Sequence, residues 1–258
     1  VGETISVTRD GGIVTITLDR PAVKNALNGV MWHELLVAFR EITASPSDRC
    51  VVLTGAGGEF CSGADLSSLT DGPPRHPQVA MREVGEVTLA LHRIPQPTIA
   101  KVRGVAVGAG ANLAFGCDLV VCSDTARFSE IFARRGLSVD AGGSWLLPRR
   151  VGLHRAKELA FFADVIGAAE ADRMGLVNRV VPDAELDAFV DGWAERLAAG
   201  PPIALTMTKR LLDQSMLLTM ADALEAEGNA QAVNFSTKDT AEAVSAFLEK
   251  RTPRFEGS

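Results

Sequence analysis

Gly104-Val-Ala-Val-Gly-Ala-Gly-Ala-Asn112, continued by Leu-Ala-Phe-Gly116, passes from an apolar strand through glycines into a run of small residues. Val105–Val107 reads as a short strand, and a small-residue helix is expected to start near Ala109. The first turn of such a helix carries unpaired backbone N–H groups and the positive end of the helix dipole. These features suit a developing oxyanion. Close packing through small side chains explains the same composition equally well. A dinucleotide fingerprint fits poorly, because Leu113 stands where the third glycine after Gly108 and Gly110 belongs. Neither Gly-rich loop of the chain ends in Gly-Lys-Ser/Thr, so no P-loop is present.

Upstream, Thr98–Val102 after Pro97 and Cys50–Thr54 read as buried strands. Ile5–Val7 and Ile13–Leu18 alternate as strands about a Gly11-Gly12 turn. Asn28 is placed to cap a helix from Gly29 to about Thr43, with Leu35, Leu36, Phe39 and Ile42 at helical spacing. Residues 71–78 form a turn-rich loop before a helix over about 79–93. Downstream, Asp118–Cys122 is a further strand. Residues 183–199, 201–218, 219–235 and 237–250 read as helices broken at Pro182 and Pro201-Pro202. The expected organisation is an α/β body over residues 1–182 and a helical region over 183–258 that docks on the body or on a partner subunit.

The 258 residues are 47% hydrophobic and 22% charged, with a net charge of −6. That charge offers no reason to expect nucleic-acid binding. Cys50, Cys61, Cys117 and Cys122 form no C-x-x-C pair and lie in apolar settings, which suits buried thiols in a reducing compartment. The four histidines are scattered, so no metal site is expected. The sequence shows no signal-like apolar core at its start. The low-charge run 102–122 contains Arg103, Asn112 and Asp118, so no membrane span is expected and the reading is cytoplasmic.

Two more segments bear on chemistry. Phe60-Cys-Ser-Gly-Ala-Asp65 follows a strand and a Gly-rich loop, where backbone amides can approach a ligand or simply turn the chain. Asp140 lies in the apolar, Gly-rich stretch 136–148. It either caps a helix starting at Ala141 or, beside oxyanion donors, shuttles a proton. Ser62 and Ser144 are not in G-x-S-x-G, so no serine nucleophile is indicated.

Taken in order, several motifs resemble the crotonase (enoyl-CoA hydratase/isomerase) superfamily across nearly the whole chain. They are Leu18-Asp-Arg-Pro21, Lys24-Asn-Ala-Leu27, Phe60-Cys-Ser-Gly-Ala-Asp-Leu66, Gly104 to Ala111, Cys117-Asp-Leu119, Leu146-Leu-Pro-Arg-Arg-Val-Gly152 and Ala246 to Phe255. The resemblance implies an α/β fold: a ClpP-like spiral of ββα repeats with a C-terminal helical region that builds a homotrimer or a dimer of trimers. It implies an oxyanion hole from the N–H groups of Ser62 and Ala109. It also implies coenzyme A, present as part of an acyl-CoA substrate and not as a separate cofactor, running past Lys24, Ala26, Ala64, Asp65 and Leu66. Phe247 and Lys250 match tail positions that reach CoA across a subunit boundary.

The two glutamates of the hydratases are replaced by Asn112 and Phe132, with Glu130 two positions away on an extended segment that can face the same side. Asp140 stands where some isomerases keep a functional aspartate. The combination of residues 108–114 with 140–149 is similar to the phenylacetate-pathway isomerase. Asp140 as proton shuttle, with Asn112, Phe132 and Trp145 around the substrate, is therefore the expected arrangement. Hydration and non-catalytic acyl-CoA binding are the alternatives.

Overall fold

In a computed structural model, described over residues 2–69 and 76–258, the chain winds as a spiral that builds a six-stranded sheet and a three-stranded sheet. Strands β1 (Ile5–Asp10) and β2 (Ile13–Leu18) form the antiparallel hairpin expected about Gly11-Gly12. β2 then pairs in parallel with β3 (Cys50–Gly55), β3 with β4 (Thr98–Val102), β4 with β6 (Leu119–Ser123) and β6 with β9 (Arg179–Val181).

The second sheet contains β5 (Val105–Val107), β7 (Arg127–Ser129) and β8 (Ile166–Gly167). It is prolonged by single parallel bridges, Cys61 to Ala106 and Leu27 to Ala64. Successive turns thus bring residues 25–27, residues 61–64, β5 and β7 side by side. Each turn closes with a helix: α1 (Gly29–Ala44), α2 (Pro77–His92), α3 (Ala109–Gly116) and α4 (Gly143–Phe162). The short α5 (Ala168–Met174) leads into β9.

Local chemistry explains the boundaries. The Asn28 side chain accepts from the Met31 amide at 2.9 Å and caps α1. α2 starts at Pro77, earlier than the expected Val79, because proline suits the first helical position and the His76 side chain accepts from Gln78. Residues 76–78 therefore belong to a helix start; the rest of the expected loop, 71–75, lies outside the described residues. β1 runs three residues beyond the expected Val7, its outer half paired with β2 though exposed.

All eight residues of α3 are buried. A Cβ on Gly110 would come within 2.6 Å of the Cys61 carbonyl, so close packing is one reason for its small residues. Phe115 stacks on Phe128 at 5.6 Å beneath them. The four cysteines are unpaired and buried, and burial raises each thiol pKa to about 12, so they behave as apolar filler.

The remaining helices are α6 (Leu186–Ala198), α7 (Pro202–Gln214), α8 (Met220–Phe235) and α9 (Lys238–Glu249). α6 buries Leu186, Val190 and Ala194 against Val52, Ile99 and Val121 of the main sheet. α7 is tethered by the Lys209–Asp118 ion pair at 2.7 Å and by Thr206 donating to the Pro95 carbonyl. No helix among the described residues is long and apolar enough to cross a membrane.

Candidate active site

The loop after β3 is shaped by the buried side chain of Asn25, from the Lys24-Asn-Ala-Leu27 motif. The Asn25 amide donates to the carbonyls of Ala56 and Glu59 at 2.9 and 2.7 Å, and its oxygen accepts from the Arg20 amide. This pins residues 24–27 against residues 61–65. The Ser62 amide donates to the Lys24 carbonyl at 2.9 Å, Leu27 N–H to the Gly63 carbonyl at 2.8 Å, and Asp65 N–H to the Leu27 carbonyl at 2.9 Å.

The expected Ser62 donor is therefore corrected. Its N–H is spent inside the loop, and its hydroxyl donates to the Val23 carbonyl. Among the described residues the Ala64 amide has no acceptor. Successive strand amides point to opposite edges, so with Asp65 bonded toward Leu27, Ala64 points toward the β5–α3 side. Gly63 makes the approach possible. Its φ is +95°, and a Cβ there would lie 2.7 Å from the Val107 carbonyl and 3.9 Å from the Ala109 nitrogen. Ala109 begins α3, where its own N–H has no intrahelical acceptor. Among the described residues the amides of Ala64 and Ala109 are both without an acceptor and flank the Gly63 approach to α3.

Around that face the other expected residues separate. Lys24 pairs with Glu59 at 2.9 Å. Asp65 is held by Ser67 and Arg20, which keep its pKa below the ordinary value; the Arg20 ion pair measures 2.8 Å. Ala26 is buried with its carbonyl accepting from Arg20, while Ala64 and Leu66 are exposed. The Phe132 ring is buried and would lie 3.6 Å from a Cβ on Gly108, beside the Ala109 amide. Trp145 packs edge-on against His92 at 5.1 Å, with the Arg149 guanidinium 4.1 Å from its ring centre, which places it at the end of α2. Phe247 and Lys250 close α9 on the tail; Phe247 is 83% exposed and lines an apolar groove of about 350 Å³ with Ile203, Val244 and Phe255. The single chain does not join these two to the carboxylates.

Asp140 does not cap a helix. α4 begins at Gly143, its N-cap is Gly142, and no side chain bonds there. Instead residues 140–143 make a tight turn with consecutive positive φ at Ala141 (44°) and Gly142 (82°), closed by Gly143 N–H to the Asp140 carbonyl at 2.9 Å. The same carbonyl accepts from Asn112 Nδ2 at 2.9 Å. Asn112 is fully buried, and its Nδ2 also donates to Glu130 Oε2 at 3.3 Å. One amide thus joins α3, the end of β7 and the turn before α4.

Glu130 is 2% exposed; burial first, and then the nearby Asp140 charge, raise its pKa to about 8 despite the opposing Asn112 hydrogen bond. Burial raises Asp140 to about 6. Burial thus pushes both carboxyls toward the neutral form, Glu130 further than Asp140. Among the described residues no group of side chains is arranged to hold a metal ion.

An α/β spiral with open amides at the start of α3 and, on the same helix, an Asn112 side chain that joins the buried Glu130 to the Asp140 backbone holds groups that can polarise a carbonyl and move a proton. The chain belongs to the enoyl-CoA hydratase/isomerase family, whose model matches residues 8–258. It is 43% identical over 249 residues to a protein of Rhodobacter capsulatus named probable enoyl-CoA hydratase, covering 95% of each chain. It is 36% identical over 250 residues to the 1,2-epoxyphenylacetyl-CoA isomerase of Escherichia coli K12, again covering 95% of each. A protein of Thermobifida fusca YX crystallised in complex with CoA superposes with a TM-score of 0.84 at 38% identity, over 90% of this chain and 93% of that one.

Proposed function

We propose that this chain isomerises an enoyl-CoA, or a ring-epoxide acyl-CoA, by holding the thioester enolate while Asp140 carries a proton from one carbon to another. The thioester oxygen sits between the amides of Ala64 and Ala109, whose hydrogen bonds strengthen as negative charge develops on it. Asp140, as carboxylate, takes the proton that leaves the carbon beside the conjugating system; the enolate persists; Asp140 returns the proton further along the chain. Phe132, beside Ala109, keeps water from the enolate and so favours proton return over hydration.

The observation that carries this reading is Asp140 itself, with a buried Oδ1 that has no partner among the described residues and a pKa raised to about 6. A base ionised just below neutral pH both accepts and returns protons readily. The isomerase relative and the CoA-bound relative support the substrate class. CoA then follows Lys24, Ala26, Ala64, Asp65 and Leu66. Phe247 and Lys250 reach it from a neighbouring copy in a trimer or dimer of trimers. The exposed Phe161, Phe162, Met216, Leu217 and Phe235 give the helical region, residues 183–258, and the end of α4 an apolar surface for such assembly.

Hydration is the second reading, favoured by the 43% identity to the protein named probable enoyl-CoA hydratase and by the presence of a second carboxyl, Glu130, beside Asp140. A panel of 2-enoyl-CoA and 3-enoyl-CoA substrates tests both. Interconversion of the double-bond isomers without 3-hydroxyacyl-CoA supports isomerisation; 3-hydroxyacyl-CoA as main product overturns it in favour of hydration. Tight binding without turnover overturns both.

A further inference from the structure

Asn112 Oδ1 and Glu130 Oε1 are both buried, and neither has a donor among the described residues. They belong to two side chains already joined, Asn112 Nδ2 to Glu130 Oε2, and that nitrogen's other hydrogen is taken by the Asp140 carbonyl. An ionised Glu130 is an acceptor only, and would leave both oxygens bare. A protonated Glu130 presents an O–H/C=O edge complementary to the C=O/N–H edge of the amide, and a single proton then satisfies both atoms.

We infer that Glu130 is a positioning residue that works as a neutral acid: its proton, donated to Asn112, locks the amide that holds the Asp140 backbone. The inference rests on the reading of Asp140 as the proton shuttle. Burial and the Asp140 charge both oppose ionisation of Glu130, and its pKa of about 8 agrees with a proton retained at neutral pH.

Among the described residues no cation acts on Glu130. α3 contributes the uncharged Asn112. On β7, Arg127 is exposed and acts on Glu59. In the turn after Glu130, Arg134 pairs outward with Asp164 and Arg135 is exposed. The segment before α4 contributes only Asp140, a like charge. Gly143 leaves room for the lock: a Cβ there would lie 2.5 Å from Asn112 Nδ2 and 2.8 Å from Oδ1.

The lock opens when Glu130 ionises. Turnover is therefore expected to fall as pH rises through about 8, in kcat more than in KM. Glu130→Gln reproduces the neutral acid with an amide–amide ring, so it should keep kcat within about threefold at pH 7 and lose the alkaline limb. Glu130→Leu cannot make the ring and should lose about tenfold in kcat, the equivalent of one net hydrogen bond. Infrared pH-difference spectra of the full chain read the proton without substrate. The wild type should show a protonated carboxyl that disappears through about pH 8, is absent from Glu130→Gln, and titrates at lower pH in Asp140→Asn, where the like charge is gone.

A folded but inactive Glu130→Gln, an alkaline limb that persists in it, or no protonated carboxyl assignable to Glu130 at pH 7 overturns the inference. If the wild type turns over no enoyl-CoA, the Asp140 reading fails by itself, and the infrared titration still decides whether Glu130 holds the proton.

Discussion

Replacing Glu130 with glutamine should make the protein more stable, by an amount that depends on pH. In the unfolded chain Glu130 ionises near its ordinary value of 4.5; in the fold it holds its proton to about 8. The folded state thus binds this proton more tightly, so the stability linked to it is fully present below about 4.5 and is lost as pH rises toward 8. Each pH unit in that window costs about 1.4 kcal/mol, and at pH 7 about 2.5 units have been crossed, so roughly 3 kcal/mol has been lost. Glutamine has no proton to defend and keeps the hydrogen-bonding edge. Urea unfolding followed by circular dichroism, at one chain concentration and at pH values of about 5, 7 and 8, measures the gap. The variant should match the wild type to within about 1 kcal/mol at the lowest pH and exceed it by roughly 2–3 kcal/mol at pH 7. A gap that does not change with pH would refute the reasoning, because it would mean that Glu130 ionises in the fold as it does in water.

Asp140→Asn should abolish 3-enoyl-CoA isomerisation while acyl-CoA binding by calorimetry stays within a few-fold; turnover at the wild-type rate would eliminate Asp140 as the shuttle. Because Asp140 must be charged to accept a proton, wild-type kcat/KM should fall as pH drops below about 6, and a profile flat to about pH 5 would contradict its raised pKa. Ala109→Pro deletes one open amide at a helix position that tolerates proline, so kcat should drop about 10²–10³-fold with little change in thermal midpoint. Gly143→Ala forces a Cβ to 2.5 Å from both Asn112 and Val139, and should cost about 1–3 kcal/mol in unfolding experiments together with most of kcat. Light scattering of the wild type at micromolar concentration should give three or six chains, and a monomer would remove the neighbour-subunit role of Phe247 and Lys250.

Much of the fold could be read from the chain because its periodic elements are long or sharply punctuated. Asn28 before a helical apolar pattern, Pro97 before β4 and the glycines flanking β5 each mark a boundary by local chemistry that tertiary packing does not override. Residues 123–182 were harder to read. β7, β8 and β9 have three, two and three residues, too few to show a period of two. α4 carries Pro148 inside it and breaks its helical geometry at Gly152, with φ 76° and ψ 162°, so its apolar positions do not keep one phase.

The site was legible in its parts, and two of its joints are set by contacts that leave no local pattern. Ser62 looks like a donor because it sits beside glycine after a strand, yet which of several amides stays open depends on Lys24 and Leu27, some forty residues earlier, reaching across to bond its neighbours. Asp140 looks like a helix cap because glycines follow it, yet positive φ at Ala141 and Gly142 turns the chain before α4 begins and hands the Asp140 carbonyl to Asn112. Glu130 gives the least signal of all, one carboxyl two places from a familiar position. Its state is fixed by burial and by an amide eighteen residues earlier, neither of which has a local pattern. Sequence spacing says which groups can share a face; the hydrogen bonds already spent decide which of them remain to do chemistry. Among the described residues they leave the amides of Ala64 and Ala109 without acceptors, and Asp140 Oδ1 and Glu130 Oε1 without partners.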